Sequence, residues 1–177
     1  MVKKEIRILG LAITHLRHEL QLVGVIFRGN LWLDGVFKCT VPTHSDYISD
    51  IARAILSSRQ YSQTHVLISR EIRLPKGIRD LQRLSLQTRL PTISLVTSKT
   101  GRFSTRKPGT CLDIKIEKSK VMVRPLRLNK EVAREIFLVA CKEGSLVPEA
   151  LRIAELTATA LEKLRKSVVA SLVITNS

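Results

Sequence analysis

The chain has 177 residues, of which 44% are hydrophobic and 25% charged, so length and composition fit one globular domain spanning residues 1–177. No stretch approaches the roughly 20 apolar residues of a membrane-spanning helix, and the three cysteines, which lack CxxC spacing, are typical of reduced thiols in a cytoplasmic protein without a disulfide framework. The formal net charge of +15 is much larger than that of an ordinary surface, on which positive and negative side chains nearly cancel, and it indicates an anionic partner.

The first third of the chain predicts an antiparallel meander of three strands. Residues 4–12 and 20–28 alternate polar and apolar side chains before becoming mostly apolar, and residues 31–41 return as the third strand. Gly29-Asn30 fits a two-residue hairpin turn between the last two strands, and Gly35 is a candidate bulge.

In the middle third the spacing of apolar residues becomes helical, and the predicted helices alternate with short buried strands. Ser45 is expected to cap a first helix that ends near Ser58, and a second helix is expected over residues 77–87. The first helix is followed by a strand over residues 64–69 and the second by a strand over residues 92–97. In the second helix Ile78, Leu81 and Leu84 are expected to face inward, with Leu86 left open.

The last third predicts a polar, basic loop over residues 98–109, a hairpin over residues 111–117 and 119–124, and two helices. Asn129 is expected to cap the first helix, and Pro148 to lie in the first turn of the second. That helix is expected to end near residue 166.

The order of elements predicts the fold class. Three antiparallel strands followed by two crossover units give a mixed α/β sheet flanked by helices, because each right-handed crossover returns a parallel strand. The ribonuclease H-like fold has this order. The apolar tract at residues 168–174 is open between a further strand and a tail that docks on a protein partner or on a second copy of the chain.

The positive charge is concentrated in one segment. Residues 1–52 carry a net charge of +1 and residues 111–177 a net charge of +4, whereas residues 53–110 carry +10, with only Glu71 and Asp80 as acids. A concentrated positive field attracts phosphates, so nucleic acid is the expected partner, and a basic face without a particular ligand is the alternative. The candidate phosphate contacts are Arg28, Arg59, Arg70, Arg73, Lys76, Arg79 and Arg83, with Arg102, Arg106 and Lys107 from the loop.

Two further side chains are considered for binding. Trp32, the only tryptophan, is placed either to stack on a base or to pack under the hairpin. His15 and His18 have HxxH spacing but lack a visible third ligand, so no metal site is assigned to them.

Several phrases together point to a family. Residues 23–29 (Val-Gly-Val-Ile-Phe-Arg-Gly) and 32–36 (Trp-Leu-Asp-Gly-Val) are the most distinctive, and the others are Glu-Ile-Arg-Ile-Leu-Gly at 5–10, Ser58-Arg59, Leu90-Pro91, and Pro148-Glu149 with Leu151-Arg152. In these phrases nearly the whole chain resembles the archaeal endonuclease dU family, relatives of endonuclease V with a ribonuclease H-like fold. The resemblance implies metal-dependent cleavage of a nucleic-acid strand near a deaminated base. It also implies a role in DNA repair, so DNA is the expected substrate rather than RNA.

The chain departs from that family at the acids that hold the metal. The resemblance implies an Asp directly after Leu9-Gly10, where this chain reads Leu11, followed by Ala12 and Ile13. It also implies an Asp-Gly pair at the end of the fourth strand, where Ser69 and Arg70 stand. An arginine at such a site repels a metal ion. We therefore predict a divergent, catalytically impaired member that binds nucleic acid, with no cofactor expected and Mg²⁺ or Mn²⁺ required only if activity remains.

Two alternatives stay open. An active metal-dependent endonuclease would use Asp34 with Glu71 or Asp113, but hairpin chemistry explains Asp34 equally well and a surface ion pair explains Glu71. In the other alternative, the inactive fold serves as a protein-interaction subunit through residues 168–174.

Overall fold

A computed structural model describes residues 2–43, 46–71, 74, 76–96, 111–116 and 119–174. These residues form a seven-stranded sheet covered by helices on both faces. The strands are β1 (Arg7–His15), β2 (Glu19–Arg28), β3 (Trp32–Pro42), β4 (Val66–Arg70), β5 (Thr92–Val96), β6 (Leu112–Ile116) and β7 (Ser119–Leu126). The helices are α1 (Tyr47–Leu56), α2 (Ile78–Thr88), α3 (Lys130–Ala140) and α4 (Glu149–Ile174).

The sheet is mixed, as the order of elements predicts. Its strand order is β3-β2-β1-β4-β5-β7-β6, in which β1 pairs with β4 and β4 with β5 in parallel, and the remaining pairs are antiparallel. The two parallel pairings follow from the connections that carry α1 and α2. The ends of β1 and β4 therefore meet at one edge of the sheet.

Each face of the sheet has its own core. Leu9 and Leu11 of β1 pack with residues of α1 and α2, and we call this side the α1–α2 face. Ile8 and Ala12, which alternate with them, pack with residues of α3 and α4 on the side that we call the α3–α4 face. Because side chains alternate along a strand, the register assigns each polar residue near a strand end to one of these faces.

The β2–β3 hairpin differs from its prediction. Its connection has three residues, Gly29 to Leu31, and only Gly29 has a positive φ there, 57°. A methyl group on Gly29 would also lie 2.1 Å from the carbonyl oxygen of Lys4. The predicted bulge is present beside Gly35: Ile26 pairs with Gly35 and Phe27 with Leu33, so Asp34 is the extra residue.

The helices confirm most of their predicted signals. The Asn129 side chain accepts a hydrogen bond of 2.8 Å from the backbone N–H of Val132. The possibility that Leu86 faces inward is wrong, because its side chain is 65% exposed. Leu86 lies two residues, or 200° of helix rotation, from buried Leu84 and therefore faces solvent. Ser45, the expected cap of α1, lies outside the described residues, and so does the loop at 98–109.

The last helix is longer than its sequence signals suggest. The backbone of residues 168–174 continues α4 to Ile174, so the strand alternative for this tract is wrong. Among the described residues no helix combines the length and the apolar character that crossing a membrane requires.

Candidate functional site

An arginine–glutamate pair closes the edge where β1 and β4 end. Leu11 of β1 lies opposite Ser69 of β4, and Arg70 is the next residue. The Arg70 guanidinium contacts Glu155 of α4 at two points: Nε donates to Oε1 at 2.5 Å and Nη2 to Oε2 at 3.2 Å. The two side chains are 23% and 24% exposed, so the pair is half-enclosed but open to solvent.

Polar side chains of β1 and β2 lie together with Arg70 on the α3–α4 face of the sheet. Ala12, which belongs to the α3–α4 core, is followed two residues later by Thr14, and Thr14 lies directly opposite Gln21 of β2. Gln21 is 4% exposed, and its Nε2 has no hydrogen-bond partner among the described residues. Leaving such a donor unsatisfied costs about 1–3 kcal/mol. We call Thr14, Gln21, Arg70 and Glu155 the strand-end site.

Ser69 has a structural role on the opposite face of β4. It is fully buried, and its hydroxyl donates a hydrogen bond of 2.8 Å to the carbonyl oxygen of Leu11. This bond ties β4 to β1 across the parallel pairing. Ser69 therefore does not present an oxygen to the strand-end site.

The strand-end site does not fit a divalent metal ion. Mg²⁺ and Mn²⁺ require several oxygen ligands, usually including carboxylates. Here the Glu155 carboxylate is paired with the Arg70 guanidinium, and Glu71, which follows β4, is paired with Arg124. In the part of the chain that the structure describes, no three His, Cys, Asp or Glu residues come together as a metal-binding group.

Asp34 lies at the other end of the sheet, between two arginines. Its Oδ2 accepts a hydrogen bond of 2.5 Å from Nε of Arg7, and its Oδ1 accepts bonds of 3.1 and 3.0 Å from Nε and Nη2 of Arg28. The hydrogen bonds from Arg28 and then from Arg7 hold the pKa of Asp34 below its ordinary value. The bulge thus positions Asp34 to join the start of β1 to the end of β2.

Glu71 is not brought near Asp34. It follows the end of β4, whereas Asp34 contacts Arg7 at the start of β1, about 20 Å away for the rise of six strand residues. Glu71 instead accepts two hydrogen bonds of 3.0 Å from Nη1 of Arg124 on β7. Asp113 pairs with Lys120 at 2.8 Å on the far hairpin. The described structure does not assemble the rebuilt carboxylate site considered from the sequence.

The predicted phosphate contacts fall into three groups. Arg59, Lys76 and Arg79 are exposed. Arg28, Arg70 and Arg83 are each paired with an acid, Arg83 with Asp46 at 3.0 Å. Arg73, Arg102, Arg106 and Lys107 lie outside the described residues.

Trp32 is not enclosed under the hairpin, since it is 52% exposed at the start of β3. Its indole is therefore accessible to a base.

Sequence reasoning missed three residues of the strand-end site, Thr14, Gln21 and Glu155. Glu155 lies 85 residues from its partner Arg70, so no local spacing links them. Gln21 occupies one polar position in a strand whose other nearby residues are apolar and buried, and this interruption is the one signal that could have indicated it.

The contacts of Asp34 lead to a first prediction. We expect Asp34→Ala to lower the melting temperature by about 3 °C, because it leaves two half-buried guanidinium groups without their acceptor. Asp113→Ala, which removes an exposed pair with Lys120, is the matched control and should change the melting temperature little. Thermal unfolding followed by circular dichroism measures both. Equal melting temperatures for Asp34→Ala and the unmodified protein would contradict the assigned role.

Comparisons with known proteins identify related archaeal sequences. No protein-family model matches the chain. A UPF0215 protein of Methanosarcina barkeri is 27% identical over 180 residues, which cover 90% of this chain and 92% of the relative. A UPF0215 protein of Methanopyrus kandleri is also 27% identical, over 92% of this chain and 94% of its own.

Solved structures share the fold. A protein of unknown function from Archaeoglobus fulgidus is 18% identical over 88% of this chain and 98% of its own, with a TM-score of 0.66. Endonuclease V of Ciona intestinalis, in complex with inosine-containing DNA, is 14% identical over 89% of this chain and 86% of its own, with a TM-score of 0.64. Endonuclease V of Bacillus subtilis is 11% identical over 92% and 82%, with a TM-score of 0.63. The expected ribonuclease H-like fold is confirmed.

Proposed function

We propose that this protein binds nucleic acid, DNA in preference to RNA, and has lost the strand cleavage that its resemblance to endonuclease dU implies. The observation that carries the proposal is the uncancelled positive charge on the α1–α2 side. Arg59, Lys76, Arg79 and Arg89 are exposed there. Such a group of cations attracts phosphates, and each phosphate contact releases counterions.

Three acids on this side are each paired with an arginine other than those four exposed cations, and the fourth acid is buried away from them. Asp46 and Asp50 pair with Arg83 and Arg53. Glu71 pairs with Arg124. Asp80 is fully buried in the first turn of α2, where its Oδ2 accepts hydrogen bonds of 2.5 Å from the Tyr47 hydroxyl and 2.7 Å from the backbone N–H of Lys76.

The helices of the other face carry a balanced charge. From residue 130 to residue 166 the chain has seven Lys or Arg and six Glu, a difference of +1. A protein whose basicity served only solubility would distribute it over both faces. The asymmetry therefore favours an extended anionic partner lying against the α1–α2 side.

The loss of cleavage is supported by the strand-end site. Hydrolysis of a phosphodiester with the help of Mg²⁺ needs carboxylates that hold the ion near the attacking water. Arg70 places a cation against Glu155 instead. The archaeal UPF0215 relatives and the endonuclease V structures with the same fold support a nucleic-acid setting for the proposal.

Binding and its dependence on salt test the proposed function. We expect labelled single- or double-stranded DNA to bind at low salt, and the affinity to fall about 100-fold or more between 50 and 200 mM salt if four phosphates are contacted. Fluorescence anisotropy measures this. The double variant Lys76→Gln, Arg79→Gln should weaken binding and flatten the salt dependence, whereas Lys163→Gln and Arg165→Gln on α4 provide the matched control.

Two outcomes would count against the proposal. Absence of binding to DNA and RNA at low salt would exclude nucleic acid as the partner. Cleavage of uracil- or hypoxanthine-containing DNA with Mg²⁺ or Mn²⁺ would show that the protein is an active endonuclease.

A further inference from the structure

We propose that Arg70 binds a phosphate of the nucleic-acid backbone in the strand-end site, as the cation of that site in place of a metal ion, with Glu155 holding its guanidinium in position. This inference rests on the proposed function, because it names a further place where the bound strand is held. The chain leads from Arg70 at the end of β4 to the exposed Lys76 and Arg79, so a strand on the α1–α2 side can continue past this edge of the sheet to Arg70 on the α3–α4 face. The proposal starts from the position of Arg70 at the carboxyl end of β4, one of the parallel strands of the sheet. Ligands of open α/β sheets bind outside these strand ends.

The geometry of the ion pair leaves one edge of the guanidinium for a ligand. Glu155 accepts from the Nε–H and from one N–H of Nη2, which is the side-on arrangement. Arginine has five N–H donors in a rigid plane, so three donors, on Nη1 and Nη2, are not used by this pair. Two of them lie parallel on the outer edge and match the spacing of two phosphate oxygens.

The pairing with Glu155 positions the guanidinium, because two hydrogen bonds fix both its place and its plane. A free arginine loses about 2 kcal/mol of side-chain entropy when it is held in one conformation, and the ion pair has already fixed it before a ligand arrives. The pair is about a quarter exposed, so a ligand can reach the outer edge without breaking it.

Two neighbouring side chains add polar groups to the same face. The Gln21 Nε2 is one of them, a donor that is buried and lacks a hydrogen-bond partner among the described residues. The Thr14 hydroxyl lies opposite Gln21 across the β1–β2 pair.

The other acid that α4 presents near its start does not oppose the phosphate. Glu149 is 4% exposed and is paired with both Arg152 and Lys142 at 2.6 and 3.0 Å. The negative charge of Glu155 is matched by Arg70 itself. The Arg70 guanidinium is thus the cation of the site, which fits a phosphate and disfavours a metal ion.

Substitution of Arg70 tests the proposal in the binding assay with the full chain. We expect Arg70→Gln to weaken DNA binding about 10-fold and to reduce the slope of log K against log [salt] by about 0.9 for double-stranded DNA, the contribution of one phosphate contact. Arg152→Gln, which also removes one paired arginine of this face, is the matched control and should leave the slope unchanged. A purely structural role for Arg70 would not move the slope.

A second variant keeps the test decisive if Arg70→Gln does not fold. Arg70→Lys retains the charge but cannot make two parallel hydrogen bonds, so we expect the slope to stay within error and the affinity to fall about threefold to tenfold. Affinities equal to that of the unmodified protein for Arg70→Lys and for a folded Arg70→Gln would overturn this inference while leaving the proposed function intact. Failure of the unmodified protein to bind would instead overturn the proposed function.

Discussion

Replacing Gly10 with alanine is expected to destabilise the protein by more than about 3 kcal/mol, or to prevent folding, because the added methyl group meets backbone and not a movable side chain. A Cβ on Gly10 would lie 2.2 Å from the carbonyl carbon of Ala150, 2.3 Å from the nitrogen of Leu151 and 2.4 Å from the carbonyl oxygen of Ala150. The first turn of α4 therefore rests directly on the middle of β1. Relief of the clash would require the helix to move away from the sheet, with loss of the packing of Ala150 and Leu151, which are both buried.

Urea denaturation followed by circular dichroism measures this effect. Gly144→Ala is the matched control: its φ of 73° strains an alanine, but no atom lies within 4 Å of the added methyl group. We expect a cost of about 1–2 kcal/mol there, from the left-handed conformation alone. Equal stability of the two variants would show that α4 does not rest on β1 as described.

The same helix start leads to a second large effect, the loss of the Glu149 ion pairs at low pH. The Glu149 carboxylate is 4% exposed and accepts hydrogen bonds of 2.8 and 2.6 Å from Arg152. Hydrogen bonding from Arg152 and then from Lys142 outweighs burial and lowers the pKa of Glu149 to about 2. Its position in the first turn of α4 also places the negative charge at the positive end of the helix dipole.

The sign of the pH dependence follows from that low pKa. In the unfolded chain the carboxyl group takes up its proton near its ordinary pKa of 4.5, whereas in the folded protein it does so only near 2. The unfolded state therefore binds more protons in between, and the stabilisation that is present above pH 5 is lost as the pH falls towards 2. Because the side chains of Lys142 and Arg152 are 59% and 42% exposed, solvent screening reduces the contribution to about 1–2 kcal/mol.

The variant Glu149→Gln tests this account. We expect it to be about 1–2 kcal/mol less stable than the unmodified protein at pH 7 and nearly equal to it at pH 2, as measured by urea denaturation across that range. Glu162→Gln removes an exposed pair with Lys166, 75% exposed, and should show a much smaller difference at both pH values. A constant difference between Glu149→Gln and the unmodified protein from pH 7 to pH 2 would contradict the ion-pair account.

The two effects give a physical reason for several phrases that carry the family resemblance. Gly10 ends one phrase, and the segment from Pro148 to Arg152 forms another. They meet where α4 crosses β1, and the pairing of Glu149 with Arg152 lies beside that contact. Gly29 serves the hairpin turn, and Asp34 is the bulge residue between Arg7 and Arg28. These roles concern the fold, so the phrases do not by themselves establish catalysis.

Local patterns were enough to predict most elements of the fold. The alternation in β1 and β2, the cap at Asn129 and the helical spacing of Leu81 and Leu84 depend on residues close in sequence. Predictions were weaker where two local signals compete. Gly29-Asn30 resembles a two-residue turn, but the pairing of Arg28 with Trp32 imposes three connecting residues.

The strand-end site shows where sequence reasoning stops. The absence of an acid at Leu11, Ala12 and Ile13 and the presence of Arg70 after the fourth strand can be read directly in the chain. That Arg70 pairs with Glu155 cannot, because the two residues are 85 positions apart and meet only when α4 packs on the sheet. The register of β1 and β2 puts Gln21 on the face of Arg70, and Glu71 pairs with Arg124 of β7.

By itself, the sequence determined the mixed α/β architecture, the concentration of positive charge and the absence of acids at two positions where the resemblance implies them, since periodicity, composition and residue identity are local properties. The tertiary structure alone decided which charges remain unpaired and which carboxylates meet. Ion pairs such as Arg70–Glu155 and Arg124–Glu71 join distant segments, and only the register of the strands and the packing of α4 bring their atoms within hydrogen-bond distance.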